Sequence, residues 1–319
     1  MHTCASVLPN SVSMRNKFLR YIRDVRRYSS RTCEVYADVL QSWVDFCEGD
    51  ENFSATLNVN GIRAYEVHLL DDRKLSPRTV SQHLSVLSSF CRYLMKEGVL
   101  KSNPVHLVKR PKVEKRLPAF YKDESMDAYF EGTKGDPEFG TLEQKLNRLI
   151  ISLLASCGLR RSELIGLNVG NVDFSRRVLR VRGKGDKMRE IPLIPSLCKE
   201  ISLYLNAVSS LTDDASDPDA PLLRTPKGAR LYPVFVDRVV KKELAGVPDI
   251  TVRRSPHVLR HTLATELLAD GADLNSIKEL LGHSSLAATQ VYTHNTVERL
   301  QKVYTNAHPR AKNGGKNGD

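Results

Sequence analysis

The length, composition and charge of the chain limit its class before any motif is considered. Its 319 residues suffice for two domains with separate cores, and 48 Lys and Arg residues against 37 Asp and Glu residues give a net charge of +11. Such a surplus favours a polyanionic partner, of which nucleic acid is the first candidate. No apolar run approaches the ~18 residues that cross a bilayer and no secretory signal is recognised, so we expect a cytoplasmic protein without a membrane span.

The six cysteines argue against a disulfide framework or a zinc site. They are scattered, they include no CxxC pair, and most lie within apolar helical patterns: Cys4, Cys33, Cys47, Cys91, Cys157 and Cys198. We expect them to be small core residues of a protein kept in a reducing compartment.

The first part of the chain predicts a small bundle of helices. Apolar residues recur at helical spacing in two segments between Ser13 and Cys47, and again from Val59 to Leu70. The next helix is the clearest, because Ser76 can cap it and Pro77 occupies its first position. The predicted domain is therefore an all-helical bundle.

A basic stretch follows the bundle. Residues 109–117 read KRPKVEKRL, a sequence that combines charge with proline and lacks an apolar period. We predict a linker whose charge suits a path along a DNA backbone, and we assign residues 1–108 to a helical DNA-binding domain.

The second domain, residues 118–311, begins with helices and then changes its pattern. Apolar and basic residues alternate on both sides of Gly183-Lys184-Gly185, which predicts a β-hairpin. Residues 209–220 predict an acidic loop, helices resume from about Tyr232, and residues 312–319 are expected to be disordered. No internal repeat is evident. The predicted fold class is mainly α with a small antiparallel β-sheet, an N-terminal helical bundle followed by a mixed α/β domain.

Four short stretches hold polar residues that packing alone does not require. These are SCGLRRSELIGL with Arg160, GKGDK with Lys184, HVLRHT with His257 and Arg260, and LLGHSS with His283 ahead of a short helix with Tyr292. Each residue taken singly has an ordinary structural explanation. Their combination in this order is what points to a site.

In order and spacing these motifs resemble the tyrosine recombinase family and, within it, the Xer-type chromosome dimer resolvases. The matches are GLRRSEL, GKGDK, HVLRH, LLGHSS and VYTH, and the helical bundle and the sequence HPRA near the end also resemble that subgroup. The resemblance implies a site-specific recombinase that cuts and rejoins double-stranded DNA. It also implies that the second domain is catalytic, with six catalytic residues: Arg160, Lys184, His257, Arg260, His283 and Tyr292.

The resemblance implies partners as well. Four protomers would act on two DNA sites, either as a homotetramer or with a second Xer-type recombinase. Residues 296–311 would dock on a neighbouring protomer. A septal DNA translocase is a further expected partner if the chain serves chromosome partition at cell division.

Phosphodiester chemistry explains why these residue types occur together. A phosphodiester hardly reacts unaided, and a single positioned donor supplies only about 3–4 kcal/mol, so several donors must converge. Arg160 and Arg260 can each bind non-bridging oxygens through two hydrogen bonds. The ordinary pKa of a tyrosine is about 10, so His257 is expected to accept the proton of Tyr292 as the phenol attacks.

The attack would form a covalent 3′-phosphotyrosyl link and expel a 5′-oxygen. Lys184 on its glycine-flanked turn is expected to give that oxygen a proton, and His283 to hydrogen-bond a phosphate oxygen. Because the covalent link keeps the bond energy, a second 5′-hydroxyl can reverse the step on another strand. The chemistry therefore needs no cofactor, ATP or metal.

Three alternatives share part of this pattern. An integrase of a mobile element would use the same chemistry, but no separate arm-binding domain is expected before the helical bundle, which favours the Xer type. A relaxing topoisomerase would use the same residues without exchanging partners. A non-catalytic DNA-binding protein would retain only the shape.

Overall fold

The structure is a computed structural model that describes residues 11–49, 56–112, 119–133, 140–183, 186–212 and 217–282. These residues are mostly helical with one three-stranded antiparallel sheet, which confirms the predicted fold class. The chain divides into two compact units, Met1–Arg116 and Leu117–Asp319. No helix in the described ranges is long and apolar enough to cross a membrane.

The first unit is a helical bundle, as expected. Its helices are α1 (Ser11–Arg20), which continues as a π-helical turn (Tyr21–Val25), α2 (Ser30–Phe46), α3 (Val59–Val67), which continues as a second π-helical turn (His68–Asp72), and α4 (Pro77–Lys96). Ser76 caps α4 by accepting the backbone N–H of Thr79, and Pro77 stands at its first position. Trp43 is fully buried among the apolar faces of these helices, where it serves the core.

A short repeat occurs within this bundle. Residues 26–32 (RRYSSRT) and 73–79 (RKLSPRT) share four of seven residues, and each follows a π-helical turn. Arg27 and Lys74 occupy corresponding positions and both have a φ of +50°. The two helix caps also correspond, with a serine accepting a backbone N–H at 3.2 Å in each: Ser29 from Thr32 and Ser76 from Thr79.

The second unit contains the sheet and the remaining helices. The helices are α5 (Asp123–Gly132), α6 (Leu142–Cys157), α7 (Arg161–Ile165), α8 (Pro195–Ser209), α9 (Pro233–Glu243), α10 (Pro256–Ala269) and α11 (Leu274–Leu281). The strands are β1 (Val172–Asp173), β2 (Val178–Arg182) and β3 (Met188–Pro192). Strands β2 and β3 form the predicted hairpin, in which Val181 pairs with Arg189.

Helix α6 is the centre of the second core. Its N-terminus has a capping box, in which Thr141 and Gln144 each accept the other's backbone N–H. Most of its residues are buried because α8, α9 and α10 all pack against it. A helix covered on so many sides needs a nearly continuous apolar sequence, and LIISLLASC supplies one.

A hydrogen bond between two carboxyl groups joins α5 to α10. The Glu266 side chain bonds that of Asp123, and Asp127 and Asp270 add negative charge nearby. Burial, together with these carboxylates, raises the pKa of Glu266 to about 8. Glu266 is therefore protonated in the folded protein at pH values where it ionises in the unfolded chain.

Replacing Glu266 by Gln is expected to remove a pH-dependent loss of stability. Because the folded pKa is raised, the stabilisation is complete below the unfolded value of 4.5 and is lost as the pH rises through about 8. Glutamine does not ionise, so Glu266→Gln should raise the free energy of unfolding by about 1–3 kcal/mol at a pH above 8 and leave it nearly unchanged near pH 5. Urea denaturation at both pH values measures the difference. Glu124→Gln, at an exposed position of α5, is the control, and an equal gain at both pH values would contradict the explanation.

Candidate active site

The turn between α6 and α7 sets the position of Arg160. Helix α6 ends at Gly158, whose φ of +57° lies in the left-handed region that favours glycine. A Cβ at Gly158 would lie 2.5 Å from Cδ2 of Leu281 and 3.0 Å from Cδ2 of Leu263, so α10 and α11 close over this point. Arg160 then takes an extended conformation in front of α7, and its side chain is 30% exposed.

Glu163 on α7 is the centre of a buried charge cluster. Its carboxylate accepts the backbone N–H of Arg160 at 2.9 Å and Nη1 of the same arginine at 2.6 Å. Arg189 on β3 donates to both carboxylate oxygens, at 3.0 and 2.8 Å. Burial alone would raise the pKa of Glu163, but the hydrogen bonds and charges of Arg189 and Arg160 hold it below its usual value. Glu163 is therefore ionised and fixes two guanidiniums.

Arg260 on α10 is a third guanidinium beside this cluster. It is buried, it donates to the carbonyls of Gly158 and Leu281, and its Nη1 lies 4.0 Å from the Glu163 carboxylate. Burial, followed by the positive charge of Arg160, lowers the pKa of Arg260 to about 10. The group stays protonated at neutral pH, and a bound anion would stabilise that charged form.

The cluster carries a surplus of positive charge. Among the described residues, Arg160, Arg189 and Arg260 lie around the one carboxylate of Glu163, which neutralises one of their three charges. A phosphodiester carries one negative charge and gains a second in a pentacoordinate transition state. The cluster is therefore suited to an anionic phosphate, and Arg160 is the most exposed of its three guanidiniums.

The same three arginines hold the end of α11. Three consecutive carbonyls each accept from a different guanidinium: Leu280 from Nε of Arg189 at 3.0 Å, Leu281 from Nη2 of Arg260, and Gly282 from Nη2 of Arg160 at 2.9 Å. The C-terminal end of a helix carries partial negative charge, which favours cations there. The charge cluster thus fixes the point at which the chain leaves α11.

His257 lies at the start of α10, one turn before Arg260, and is exposed. Its ring stacks on that of His261 with 6.4 Å between centroids. Partial burial, the neighbouring His261 and the positive charge of Arg260 lower the pKa of His257 below its ordinary value. The neutral imidazole, which can accept a proton, is therefore the prevailing form at neutral pH.

Comparison with known proteins decides the family. Residues 140–299 match the profile of the phage integrase family, and residues 14–99 match that of the phage integrase N-terminal SAM-like domain. A tyrosine recombinase XerC of Chlorobaculum tepidum is 33% identical over 317 residues, which cover 92% of this chain and 94% of that protein. A tyrosine recombinase XerC of Bacillus subtilis is 34% identical over 308 residues, with 92% and 95% covered. The chain belongs to the tyrosine recombinase family.

Solved structures of other tyrosine recombinases share the fold. The Tn1549 transposon integrase in complex with circular intermediate DNA has a TM-score of 0.64 at 19% identity, and the match covers 92% of this chain and 99% of that one. A lambda integrase dimer bound to a COC′ core site has a TM-score of 0.61 at 17% identity, with 88% and 98% covered. At these identities the likeness concerns the fold.

Membership of the family confirms the activity expected from the five motifs. The chain is a tyrosine-type site-specific DNA recombinase, and the relatives named XerC confirm the Xer-type resemblance. An enzyme of this kind acts on DNA, so the surplus of basic residues has its expected partner.

The structure brings together three of the six predicted catalytic residues. Arg160, Arg260 and His257 lie within electrostatic range of one another. Lys184, His283 and Tyr292 lie outside the described residues, and so do the predicted docking segment 296–311 and the tail 312–319. The catalytic roles of all six residues therefore remain predictions. Among the described residues no group of His, Cys, Asp and Glu side chains could hold a metal ion.

Arg189 is not among the site residues predicted from the sequence. Its partner Glu163 lies within the GLRRSEL motif and also bonds Arg160. The alternation of side chains along β3 could have identified Arg189 as buried. Arg189 and Ile191 are two residues apart, so both lie on the buried face of the strand. A buried arginine side chain is costly unless it is paired, so an arginine on the inner face of a strand predicts a buried carboxylate partner.

Proposed function

We propose that this recombinase resolves dimers of a circular chromosome or plasmid through a covalent 3′-phosphotyrosyl intermediate formed by Tyr292. The observation that carries the proposal is the match to proteins named XerC over more than nine-tenths of the chain. The positively charged cluster around Glu163 supports it, because a scissile phosphate is the anion that such an enzyme must hold.

The two predicted arginines would have different tasks in phosphate binding. Arg160 is partly exposed and is held by Glu163, so its guanidinium is presented in a fixed direction. Arg260 is buried at the ends of α6 and α11, where few solvent molecules screen its charge. Two preorganised guanidiniums would stabilise the charge that develops on the non-bridging oxygens.

The remaining steps rest on the family resemblance. Tyr292 would attack the phosphorus, His257 would accept the phenolic proton, and Lys184 would protonate the departing 5′-oxygen. His283 would hydrogen-bond a non-bridging oxygen. Reversal by a 5′-hydroxyl of the partner strand regenerates the tyrosine, so atoms and charge balance without a cofactor or metal.

Cleavage is expected to need a deprotonated His257. Because the pKa of His257 lies below its ordinary value of 6.5, the rate should rise with pH, with a midpoint below pH 6.5, and level off at higher pH. This rising limb of the pH–rate profile is measured by single-turnover cleavage of a nicked duplex between about pH 5 and pH 8. His257→Gln should remove it, whereas His261→Gln should keep it and shift it slightly upward, since His261 lowers the pKa of its neighbour. A limb that persists in His257→Gln would contradict the assignment.

We also propose the setting in which the enzyme works. Four protomers would assemble on two sites, alone or with a second Xer-type recombinase, and a septal DNA translocase would control the reaction at cell division. The relatives named above come from bacteria, whose chromosomes lie in the cytoplasm, and we place this protein there.

Covalent capture tests the proposed function. The purified chain is incubated with sheared genomic DNA of its host, denatured, and the protein-bound fragments are sequenced. We expect capture at a single type of site with inverted half-sites. A plasmid with two direct copies of that site should then be resolved into two circles, which agarose gels detect.

Other outcomes would identify the alternatives. Capture at the ends of mobile elements would indicate an integrase. Relaxation of a supercoiled plasmid that carries one site, without resolution of a plasmid with two, would indicate a topoisomerase. Binding without covalent capture would overturn the proposal.

A further inference from the structure

Arg189 is a buried arginine to which the proposed mechanism assigns no role. Its side chain is 4% exposed, and its three guanidinium nitrogens bond the two Glu163 oxygens and the Leu280 carbonyl. Burying an ion pair costs several kcal/mol of desolvation, which the attraction often only offsets, so a buried pair is a weak source of stability. A role in positioning explains its place better than a role in stability.

Two glycines lie against this guanidinium. A Cβ on Gly183 would lie 3.5 Å from Nη1 of Arg189 and 3.9 Å from Oε1 of Glu163. A Cβ on Gly282 would lie 3.1 Å from the same Nη1. The backbone of the hairpin and the backbone at the end of α11 therefore both approach the Arg189–Glu163 pair closely.

These contacts join three separate parts of the chain. Arg189 is 26 residues from Glu163 and 91 residues from Leu280 along the sequence, so no local structure fixes their distances. Gly183 directly precedes Lys184, and Gly282 directly precedes His283. The pair thus lies where the hairpin, α7 and α11 meet, next to the two glycines that directly precede the predicted catalytic residues Lys184 and His283.

We propose that Arg189 is a positioning residue for DNA cleavage. Through Glu163 it fixes the guanidinium of Arg160, and through Gly183 and Gly282 it fixes the backbone that leads into Lys184 and His283. Its three guanidinium nitrogens already donate to Glu163 and to the Leu280 carbonyl, so we assign it no contact with DNA. The inference rests on the proposed function and adds a requirement to it, namely that the geometry of cleavage depends on this internal ion pair.

The test separates cleavage from DNA binding. A duplex carrying the captured site, nicked so that cleavage is trapped, is used to measure single-turnover cleavage and the dissociation constant of each variant. Arg189→Met should slow cleavage by about 100-fold or more, because a displacement of about 1 Å at reacting groups has an effect of this size. The dissociation constant should change less than about threefold, since Arg189 makes no phosphate contact. Arg189→Lys should recover part of the rate, because it keeps the charge and loses the planar fork.

Arg180 provides the matched control. It lies on the neighbouring strand β2 and pairs with Glu190 and Asp173, but its side chain is 44% exposed. Exposed pairs contribute little, so Arg180→Met should cleave within about twofold of wild type.

A double-mutant cycle tests the path through Glu163. If Arg189 acts through this carboxylate, Arg189→Lys combined with Glu163→Gln should be no slower than the slower single variant. Additive losses would overturn that path. Circular dichroism shows whether Arg189→Met folds. If it does not, the measurements on Glu163→Gln and Arg189→Lys replace it.

The outcomes distinguish this inference from the proposed function. If the wild-type protein forms the covalent adduct and the Arg189 variants cleave as fast as wild type, the inference is overturned and the proposed function stands. Equal losses of binding and cleavage would show a merely structural role and would also overturn it. A wild-type chain that forms no adduct would overturn both.

Discussion

Replacing Tyr292 by Phe is expected to abolish the covalent protein–DNA adduct while DNA binding remains. Phenylalanine keeps the ring and removes only the hydroxyl that would attack phosphorus. Denaturing gels of the trapped nicked duplex should show an adduct for wild type and none for Tyr292→Phe. A mobility shift under native conditions should be the same for both proteins, because the phosphate contacts that dominate affinity are unchanged.

The described tyrosines of the second unit support this choice of nucleophile. Burial raises the pKa of Tyr121, Tyr129 and Tyr204, and each hydroxyl already has a partner inside the protein. A nucleophile needs the opposite, an accessible hydroxyl with a lowered pKa. Tyr232 is exposed and accepts a hydrogen bond from Arg238, so Tyr232→Phe is the matched control. Loss of the adduct in Tyr232→Phe, or its survival in Tyr292→Phe, would contradict the assignment.

The elements that follow from local chemistry could be predicted from the sequence. Ser76 and Pro77 mark the start of α4, and alternating residues around the glycine-rich turn mark the hairpin. Each of these signals depends on neighbours within a few residues. The two π-helical turns and the repeat that they introduce were not predicted, because a π turn leaves no clear period in a short apolar sequence.

The candidate site could be predicted only in part, because some of its contacts join residues that are far apart in the sequence. Arg160 and Arg260 follow from the motifs that resemble the family, and a partner for Arg160 lies three residues away at Glu163. Arg189 reaches the same carboxylate from a strand 26 residues away, and the carbonyls of α11 are more distant still. Bonds of such separation depend on the packing of the whole unit, which the sequence pattern does not encode locally.

The electrostatic state of the cluster is a property of the folded unit. Burial, together with the positive charge of Arg160, lowers the pKa of Arg260 from the ordinary value of an arginine to about 10. In the same way the pKa of Glu163 is held down by guanidiniums from two elements. Among the described residues, the three guanidiniums thus surround one ionised carboxylate, an arrangement suited to an anionic phosphate.

Replacing Arg260 by Lys is expected to slow cleavage by about 100- to 1,000-fold, the size of effect that follows the loss of one preorganised donor at a developing oxyanion. The guanidinium donates to the carbonyls of Gly158 and Leu281 at once, which fixes its plane at the ends of α6 and α11. A lysine keeps a positive charge but cannot hold both carbonyls and face a phosphate in one plane. Its buried ammonium would also lose a proton more readily than an exposed one.

Single-turnover cleavage and DNA affinity together check this prediction. The dissociation constant of Arg260→Lys should rise far less than the rate falls, because the interaction gains strength only as charge develops in the transition state. Arg253→Lys, at an exposed position shortly before α10, is the control and should cleave nearly as wild type does. Melting temperatures separate a folding defect from a catalytic one. An Arg260→Lys variant that is as stable and as fast as wild type would show that the buried charge serves packing alone, and the phosphate would then have to be held chiefly by Arg160.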